Sequence, residues 1–364
     1  NADLTVVSAS GLGGGSLINA GVLEAPDASI FDERWPKALQ NADELQSWLD
    51  NAHERIGGGR RSRPNTIADH EDTEQQTPLK LAALDRLAGR NATARRAAIT
   101  VQLNSQQSMP GGVELDNCIG CGDCASGCNY NAKRSLDTGP LVEARRQGAE
   151  IYCGAEVIRV ERLPGCKAGW VVWVNYTDRR LSSREGGPIP LFVDRLILAA
   201  GALGSTELLQ RSQARSTPLT LSPLLGKHIS GNGDLIAASH GEQQPVNAIA
   251  DPDIDPAQRR IGPTITGIIK TEDANGRPLL IEEMAGPATL KRVFDEALST
   301  AVLLKRMGDG DTSRHTQEHP AHDPFAVDQG AMRHTQVFAA MGDDGAGGEL
   351  EYTDDPQDTH LGGH

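Results

Sequence analysis

The segment Val193–Glu207 constrains the fold more than any other part of the sequence. It runs from the continuous apolar stretch Leu196–Ala200 through a turn of small residues, Gly201–Gly204, into the start of a helix. A stretch that is apolar throughout is typical of a strand buried on both faces of a parallel sheet. Small residues in the following turn suit a dinucleotide that lies across the carboxyl ends of the strands. The alternative is an ordinary strand-to-helix crossover without a ligand.

A second glycine-rich segment, Gly11–Ser16, precedes a short apolar stretch that ends at Asn19. Glycines allow backbone N–H groups to approach a phosphate or a flat ring, and a following helix N-terminus adds a favourable dipole. A glycine run of this kind is also typical of a tight turn that binds nothing. The segment is therefore a candidate cofactor loop with a purely structural alternative.

The rest of the chain alternates between helical and strand-like segments. Apolar residues recur with helical spacing in Ala42–Ile56, Leu79–Leu87 and Leu290–Met307, and Gly308 ends the last of these helices. Segments rich in Val, Ile and Trp predict strands. These strands are expected at 150–161, 169–175, 190–200, 235–239, 264–269 and 278–283.

The charge of the chain excludes two classes of partner. The formal net charge is −14, whereas binding to nucleic acid phosphates or to an anionic membrane needs an excess of Lys and Arg. No apolar run approaches the ~18 residues of a transmembrane helix. The start lacks the features of a signal peptide and does not begin with Met, so we expect the true N-terminus and any targeting region to be missing.

Four of the six cysteines follow one another closely, with the spacing Cys118-x2-Cys121-x2-Cys124-x3-Cys128. This spacing matches that of bacterial ferredoxin ligands, and the glycines between them let the backbone wrap around a cluster. Residue 129 is Asn rather than the Pro of ferredoxins, and the run occurs once. A lone cluster would therefore need Cys128 itself, or one of the two remaining cysteines, to complete its ligands.

Three interpretations of the cysteine run stay open. It could hold a [4Fe–4S] cluster, a zinc ion bound tetrahedrally by four thiolates, or no metal at all. Such short spacings suit metal ligation better than a disulfide framework in a chain of this length. This usage of cysteine favours a reducing compartment, and we expect a cytoplasmic protein.

Taken together, these segments resemble the glucose–methanol–choline (GMC) flavoprotein oxidoreductases, and within them the cholesterol oxidase-like branch. The resemblance covers residues 4–240 well and 260–345 more loosely. It is carried by Gly11–Val22 (GLGGGSLINAGV), Arg34–Pro36 (RWP), Lys133–Asp137 (KRSLD), Gly148–Val157 (GAEIYCGAEV), Leu196–Leu209 (LILAAGALGSTELL) and Ser230–Asp234 (SGNGD).

The resemblance implies an α/β chain, α+β overall, with a doubly wound FAD-binding domain and a substrate domain built on an antiparallel sheet. We expect the FAD-binding domain at 1–235, with a Cys-rich loop at 116–130, the substrate-binding domain at 236–345 and a flexible tail at 346–364. The Gly-x-Gly-x-x-Gly unit that opens the family is absent. This absence indicates a chain that is truncated at its start.

The resemblance also implies which residues hold FAD. The isoalloxazine carries the redox chemistry, and the protein places the carbinol of the substrate and excludes water. Carried over by position, the residues at the isoalloxazine and pyrophosphate are Gly14, Gly15, Ser16, Asn19, Ala20 and Gly21; Val157 lies at the adenine, and Gly201 and Ala202 lie at the ribose-diphosphate.

Two residues are implied as catalytic. A family carboxylate acts as base in sterol oxidation and double-bond isomerisation, and it lies on a strand before a Pro-containing turn. Glu282, which is followed by Glu283, fits this place best, and the alternative is an exposed strand end. The family closes with His-Pro-Leu-Gly-Gly, whereas this chain has His360 without the Pro. His360 is thus a candidate catalytic histidine, with a mobile terminus as the alternative.

The sequence supports three functions. The first is oxidation of a secondary alcohol, sterol-like or otherwise bulky and apolar, to a ketone by FAD, with dioxygen or a redox protein as electron acceptor. The second is an iron–sulfur electron-transfer or metal-binding module. The third is an inactive paralogue that lacks both ends of the chain. A cluster beside the flavin would favour a dehydrogenase over an oxidase, because electrons could leave through it.

Overall fold

The computed structural model divides the chain into two compact units, each of which joins segments that are distant in the sequence. Unit 1 comprises Asn1–Val6, Glu150–Gly233 and Asp343–His364, and unit 2 comprises Val7–Ala149 and Asp234–Gly342. The residues described are 6, 8–26, 30–33, 35–56, 59–60, 63–70, 77–88, 94–103, 109, 112–163, 165, 169–178, 180, 187–215, 219–250, 260–308 and 332–353.

Helices and strands are mixed along the chain. The helices are α1 (Ala42–Ile56), α2 (Leu79–Ala88), α3 (Pro140–Arg146), α4 (Gly201–Arg215) and α5 (Lys291–Gly308). The strands are β1 (Gly59–Arg60), β2 (Arg63–Pro64), β3 (Ala94–Arg96), β4 (Ala155–Arg162), β5 (Trp170–Tyr176), β6 (Ile189–Val193), β7 (Lys227–Ile229), β8 (Leu235–His240), β9 (Gly267–Glu272), β10 (Pro278–Met284), β11 (Thr335–Gly342) and β12 (Gly348–Glu349). Within this part of the chain, no helix combines the length and the apolar character needed to cross a membrane.

Unit 2 is built around an antiparallel sheet with the strand order β3-β9-β10-β11-β8. Strand β10 lies at its centre, where Glu282 is opposite Ile268 of β9 and Ala339 of β11. Helix α2 packs on β9 and β10, and its Leu81 and Leu84 are completely buried in the core. Because successive residues of a strand face opposite sides, β10 presents a different set of side chains to each face of the sheet.

Unit 1 contains a three-stranded antiparallel sheet in the order β4-β5-β6, and a separate pair formed by β7 and β12. Helix α4 packs against β4. Its Leu208 joins Val160, Val172 and Leu219 in a core of buried apolar side chains. The buried Ser212 hydroxyl accepts a hydrogen bond from the Val160 backbone N–H at 3.0 Å, which attaches the helix to the sheet.

Much of the expected secondary structure is present. The helices predicted at 42–56, 79–87 and 290–307 are confirmed as α1, α2 and α5, and the strands predicted at 235–239 and 278–283 are confirmed as β8 and β10. The mixture of helices and sheets is that of the expected α/β class. The expected boundaries of the two domains stay a prediction.

The segment Leu196–Ala200 does not form the buried parallel strand that its composition predicts. Strand β6 ends at Val193, and Ile197 is 87% exposed. The strands that the structure describes pair antiparallel, so the segment has no parallel neighbours to cover it. The helix expected after it is present, because α4 begins at Gly201.

Candidate functional site

The glycine-rich turn of unit 2 exposes bare backbone. A short 3-10 helix spans Gly14–Leu17, and the φ angles of Gly13 and Gly14 are 110° and 55°, which favour glycine over other residues. A Cβ added at Gly14 or Gly15 would meet no atom within 4 Å. The backbone on this side of the turn is therefore accessible, as it must be if the flat ring or a phosphate of a flavin cofactor is to lie against it.

Other candidate residues hold this turn in place. The Ser16 hydroxyl donates to the Gly13 carbonyl at 2.7 Å and accepts from the Leu136 N–H at 3.1 Å. The Asn19 side chain accepts from the Gly21 N–H at 3.2 Å. Gly21 itself is buried, and Ala20 packs against the core of unit 2. In this arrangement Ser16 and Asn19 shape the turn, and Gly14 and Gly15 provide its open surface.

Lys133 connects the glycine-rich turn to the cysteine run. Its ammonium group donates to the carbonyl oxygens of Leu17 at 3.0 Å, Asn19 at 2.6 Å and Cys124 at 3.0 Å. Burial lowers the pKa of Lys133, and the neighbouring Cys124 and Cys128 oppose that effect. Three carbonyl acceptors thus hold a buried cation between the two segments. The sequence contains Lys133 in the stretch KRSLD, but its spacing does not indicate this role.

The remaining cofactor candidates lie in unit 1. Gly201 begins α4 with a φ of 76°, and a Cβ added there would also meet no atom within 4 Å. Ala202 follows in the first turn of the helix. Val157 pairs with Val174 at an irregularity of β4, and its carbonyl accepts from the Arg211 guanidinium at 3.3 Å. Gly201 and Ala202 thus lie at an open helix start, whereas the carbonyl of Val157 is already engaged by Arg211.

Glu283 on β10 belongs to a sealed ion pair. Its Oε2 lies 2.6 Å from the Lys80 Nζ, and both side chains are completely buried. Its Oε1 accepts from the backbone N–H groups of Thr266 at 2.7 Å and Gly267 at 2.8 Å, and from the Thr266 hydroxyl. Burial raises the pKa of Glu283 and lowers that of Lys80, and the attraction between the two groups opposes both shifts. This pair has a structural role, because no solvent or substrate reaches it.

Glu282, the next residue, lies on the opposite face of the strand. It is 5% exposed. Burial raises the pKa of Glu282 to about 7, and the negative charges of Glu24, Glu283 and Asp234 contribute to the increase. A carboxyl group with such a pKa can both accept and donate a proton near neutral pH. The expected exposed strand end is therefore not observed at Glu282.

The four clustered cysteines line a single pocket of unit 2, together with Lys133 and Asp123. None of the four is in a disulfide, and burial raises the pKa of Cys118 and Cys124. Among the residues that the structure describes, no group of three or more His, Cys, Asp or Glu side chains could hold a metal ion as it stands. The metal expected at these cysteines therefore stays a prediction.

One candidate lies outside the described residues, and two residues of the site were not expected. His360 falls in the range 354–364, about which the structure says nothing.

Lys80 and Lys133 were not singled out from the sequence. A lysine among apolar residues of a helix, as in Leu79–Leu84, is a signal that could have found Lys80, because a lysine is rarely buried without a partner.

Comparison with known proteins gives the same family as the motifs. The GMC oxidoreductase family profile matches residues 1–230. A cholesterol oxidase from Acinetobacter baumannii is 24% identical over 258 residues, which are 64% of this chain and 42% of that protein. A cholesterol oxidase from Mycobacterium tuberculosis is 23% identical over 300 residues, which are 75% of this chain and 50% of that protein.

An uncharacterized GMC-type oxidoreductase of Mycobacterium tuberculosis is 28% identical over 205 residues, which are 55% of this chain and 27% of that protein. The chain thus spans half or less of the length of these relatives. The family profile, in contrast, covers more than half of the chain and includes the open glycine turn, Lys133 and the cysteine run. On this evidence, the chain belongs to the GMC oxidoreductase family.

Proposed function

We propose that this protein is an FAD-dependent oxidoreductase that acts on the CH–OH group of a bulky, apolar secondary alcohol. The observation that carries the proposal is the open backbone at Gly14 and Gly15, in a turn that Ser16 and Lys133 hold in shape. The membership in a family of flavoproteins supports it. When bound, FAD would supply the acceptor for the hydride of the alcohol.

The residues of this chain would bind and position FAD. On the resemblance, the residues that would hold FAD are Gly14, Gly15, Ser16, Asn19, Ala20, Gly21, Val157, Gly201 and Ala202. Backbone N–H groups at such turns bind phosphate without the cost of burying a side-chain charge. The open start of helix α4 at Gly201 is proposed to bind the ribose-diphosphate.

Glu282 is proposed as the base that takes a proton from the substrate. Its pKa of about 7 is suited to this task, because a carboxylate with an ordinary pKa would be a much weaker base at neutral pH. The sealed Glu283 is excluded from the same role by its ion pair with Lys80. His360 is proposed as a second catalytic residue on the resemblance alone.

The identity of the substrate and of the acceptor is proposed with weaker support. Two relatives are named cholesterol oxidase, and these names favour a sterol-like substrate, steroid metabolism and an accompanying double-bond isomerisation. Dioxygen or a redox protein is proposed as the acceptor, and the cytoplasm as the location. These points depend on the shape of a substrate pocket, which sets the specificity of an enzyme.

The test is an absorbance spectrum of the purified protein with FAD, recorded without oxygen before and after addition of an alcohol. We expect flavin bands that bleach with a sterol or another bulky secondary alcohol, and that remain with a short primary alcohol. Glu282→Gln should keep the bound flavin and slow its bleaching, whereas Glu272→Gln, an exposed residue of the same sheet, should behave as the unchanged protein. A protein that takes up no FAD would contradict the proposal.

A further inference from the structure

The pocket formed by the cysteine run has features that alcohol oxidation by a flavin does not explain. Cys118, Cys121, Cys124 and Cys128 all line it, although the run extends over eleven positions of an irregular loop. None of the four is in a disulfide. A loop that directs four thiols at one space is unusual in a protein without a ligand there, because soft thiolate groups are the preferred ligands of iron–sulfur clusters and zinc.

Backbone N–H groups point at the sulfurs. The Gly120 N–H donates to the Cys118 Sγ at 3.3 Å, and the Ala132 N–H donates to the Cys128 Sγ at 3.3 Å. Hydrogen bonds of this kind stabilise metal-bound thiolates and tune the potential of a cluster. Two of the four thiols thus accept a hydrogen bond from the backbone of the loop.

The loop is also held rigidly on the core of unit 2. The Thr264 hydroxyl donates to the Gly122 carbonyl at 2.7 Å and accepts from the Cys124 N–H at 2.9 Å. Gly122 has a φ of 79°, and a Cβ there would lie 2.4 Å from Ile261 Cγ2. Only glycine fits this position. The arrangement of the thiols is therefore fixed by tertiary contacts and is not a chance property of a surface loop.

A positive charge stands beside the thiols. The Lys133 ammonium lies 3.0 Å from the Cys124 carbonyl oxygen, and its charge favours the anionic form of Cys124. A cluster that is bound by four thiolates carries a net negative charge, and a nearby cation offsets part of the cost of burying it. Because the Asp123 carboxylate lines the same pocket, Lys133 offsets only part of the negative charge that a cluster would bring.

The spacing of the thiols distinguishes a cluster from a single ion. Zinc binds each sulfur at about 2.3 Å, so its four ligands must converge tightly on one point. In an iron–sulfur cluster each thiolate binds a different iron atom, and the ligands therefore stand farther apart around a larger group. The Cys-x2-Cys-x2-Cys-x3-Cys spacing is that of bacterial ferredoxin ligands, and it favours the cluster over the ion.

We infer that this loop binds an iron–sulfur cluster through Cys118, Cys121, Cys124 and Cys128, and that Lys133 holds the loop against the glycine-rich turn. The inference rests on the loop alone and goes beyond the proposed oxidation of an alcohol. Cys153 is not part of it, because this exposed thiol does not line the pocket.

The test is reconstitution of the full chain with ferrous iron and sulfide under anaerobic conditions, followed by analysis of iron and acid-labile sulfide. We expect about four of each per chain and an electron paramagnetic resonance signal after reduction with dithionite. Cys121→Ser and Cys124→Ser should each lose most of the bound iron and sulfide. The matched control, Cys153→Ser, should keep both.

A second measurement covers the case in which a ligand variant does not fold. In the unchanged protein, iodoacetamide should label Cys153 at once and the four loop cysteines only after the iron has been removed, as peptide mass spectrometry would show. Iron-free protein after reconstitution, zinc as the only bound metal, or equal labelling of Cys153 and the four loop cysteines would overturn the inference. FAD is measured in the same samples, so that iron without flavin contradicts only the proposed function, and flavin without iron contradicts only the cluster.

Discussion

The two faces of strand β10 place neighbouring glutamates in opposite environments. On one face, the Glu283 carboxylate is completely buried and has the Lys80 ammonium at 2.6 Å and three donors from Thr266 and Gly267. On the other, Glu282 faces the negative charges of Glu24 and Asp234. The same side chain is thus a stabilising partner on one face and a proton acceptor of raised pKa on the other.

The difference shows how position in a sheet assigns a role to a residue type. Adjacent residues of a strand project to opposite faces, so the helix α2 that supplies Lys80 can compensate only one of the two charges. An ionised carboxylate without a partner is disfavoured by burial, and its pKa rises. The raised pKa of Glu282 is therefore a consequence of its burial and, to a smaller extent, of the negative charges near it.

The largest effect is expected from removing the charge of Lys80, which is buried with Glu283. Lys80→Met leaves the Glu283 carboxylate buried without its cation, and removal of one partner of a buried pair costs about 3–5 kcal/mol. Urea unfolding would measure this loss. Lys270→Met, at an exposed position of β9, is the matched control and should change the stability little.

The double variant Lys80→Met/Glu283→Gln sharpens the comparison. The amide oxygen of Gln can still accept from the Thr266 and Gly267 N–H groups, and no buried charge remains. Because a neutral, well-packed pair often replaces a buried ion pair at little cost, the double variant should recover most of the stability that Lys80→Met loses. If it is as unstable as the single variant, the ion pair is not the reason for the loss.

The second effect concerns the contribution of Glu282 to the pH dependence of stability. Since the pKa of Glu282 is raised to about 7 in the folded protein, the folded state binds the proton more tightly than the unfolded state. The resulting stabilisation is complete below pH ~4.5 and is lost as the pH rises through 7, by at most about 3 kcal/mol. Glu282→Gln should remove this dependence and be more stable than the unchanged protein at pH 8.

Chemical unfolding at several pH values between 4.5 and 8 would measure the effect. Glu272→Gln is the control, because it changes an exposed glutamate of the adjacent strand. A stability difference between Glu282→Gln and the unchanged protein that does not vary with pH would show that the Glu282 carboxyl does not titrate in this range.

The smallest effect is expected from a neighbour of Glu282. Glu24→Gln removes one of the negative charges near Glu282 but keeps an acceptor for the Ala98 N–H, which Glu24 binds at 2.9 Å. It also breaks an ion pair with Arg95, whose exposure limits the cost to about 0–1 kcal/mol. The pKa of Glu282 should fall by less than about one unit, which NMR of its carboxyl carbon would detect. An unchanged pKa would show that the Glu24 charge does not contribute to the shift.

The local patterns predicted those parts of the fold that depend on neighbours in the sequence. The helical spacing in Ala42–Ile56 and Leu79–Leu87 was sufficient, since each helix buries one face. The stretch Leu196–Ala200 was not predicted correctly, because a buried strand needs partners on both edges, and composition cannot show whether these are present. The cofactor residues, Glu282 and the cysteine ligands stay predictions that the tests above address.

The sequence by itself determined the family, the glycines that leave a backbone bare, and the cysteine spacing, because each depends on the type and order of nearby residues. Only the tertiary structure decided that Lys80 pairs with Glu283 and that Lys133 joins the glycine turn to the cysteine loop. Lys80 and Glu283, and likewise Lys133 and Leu17 of the glycine turn, are more than one hundred positions apart in the sequence. The energies of these contacts depend on burial and distance, which arise only when the sheet, the helix and the loops pack together.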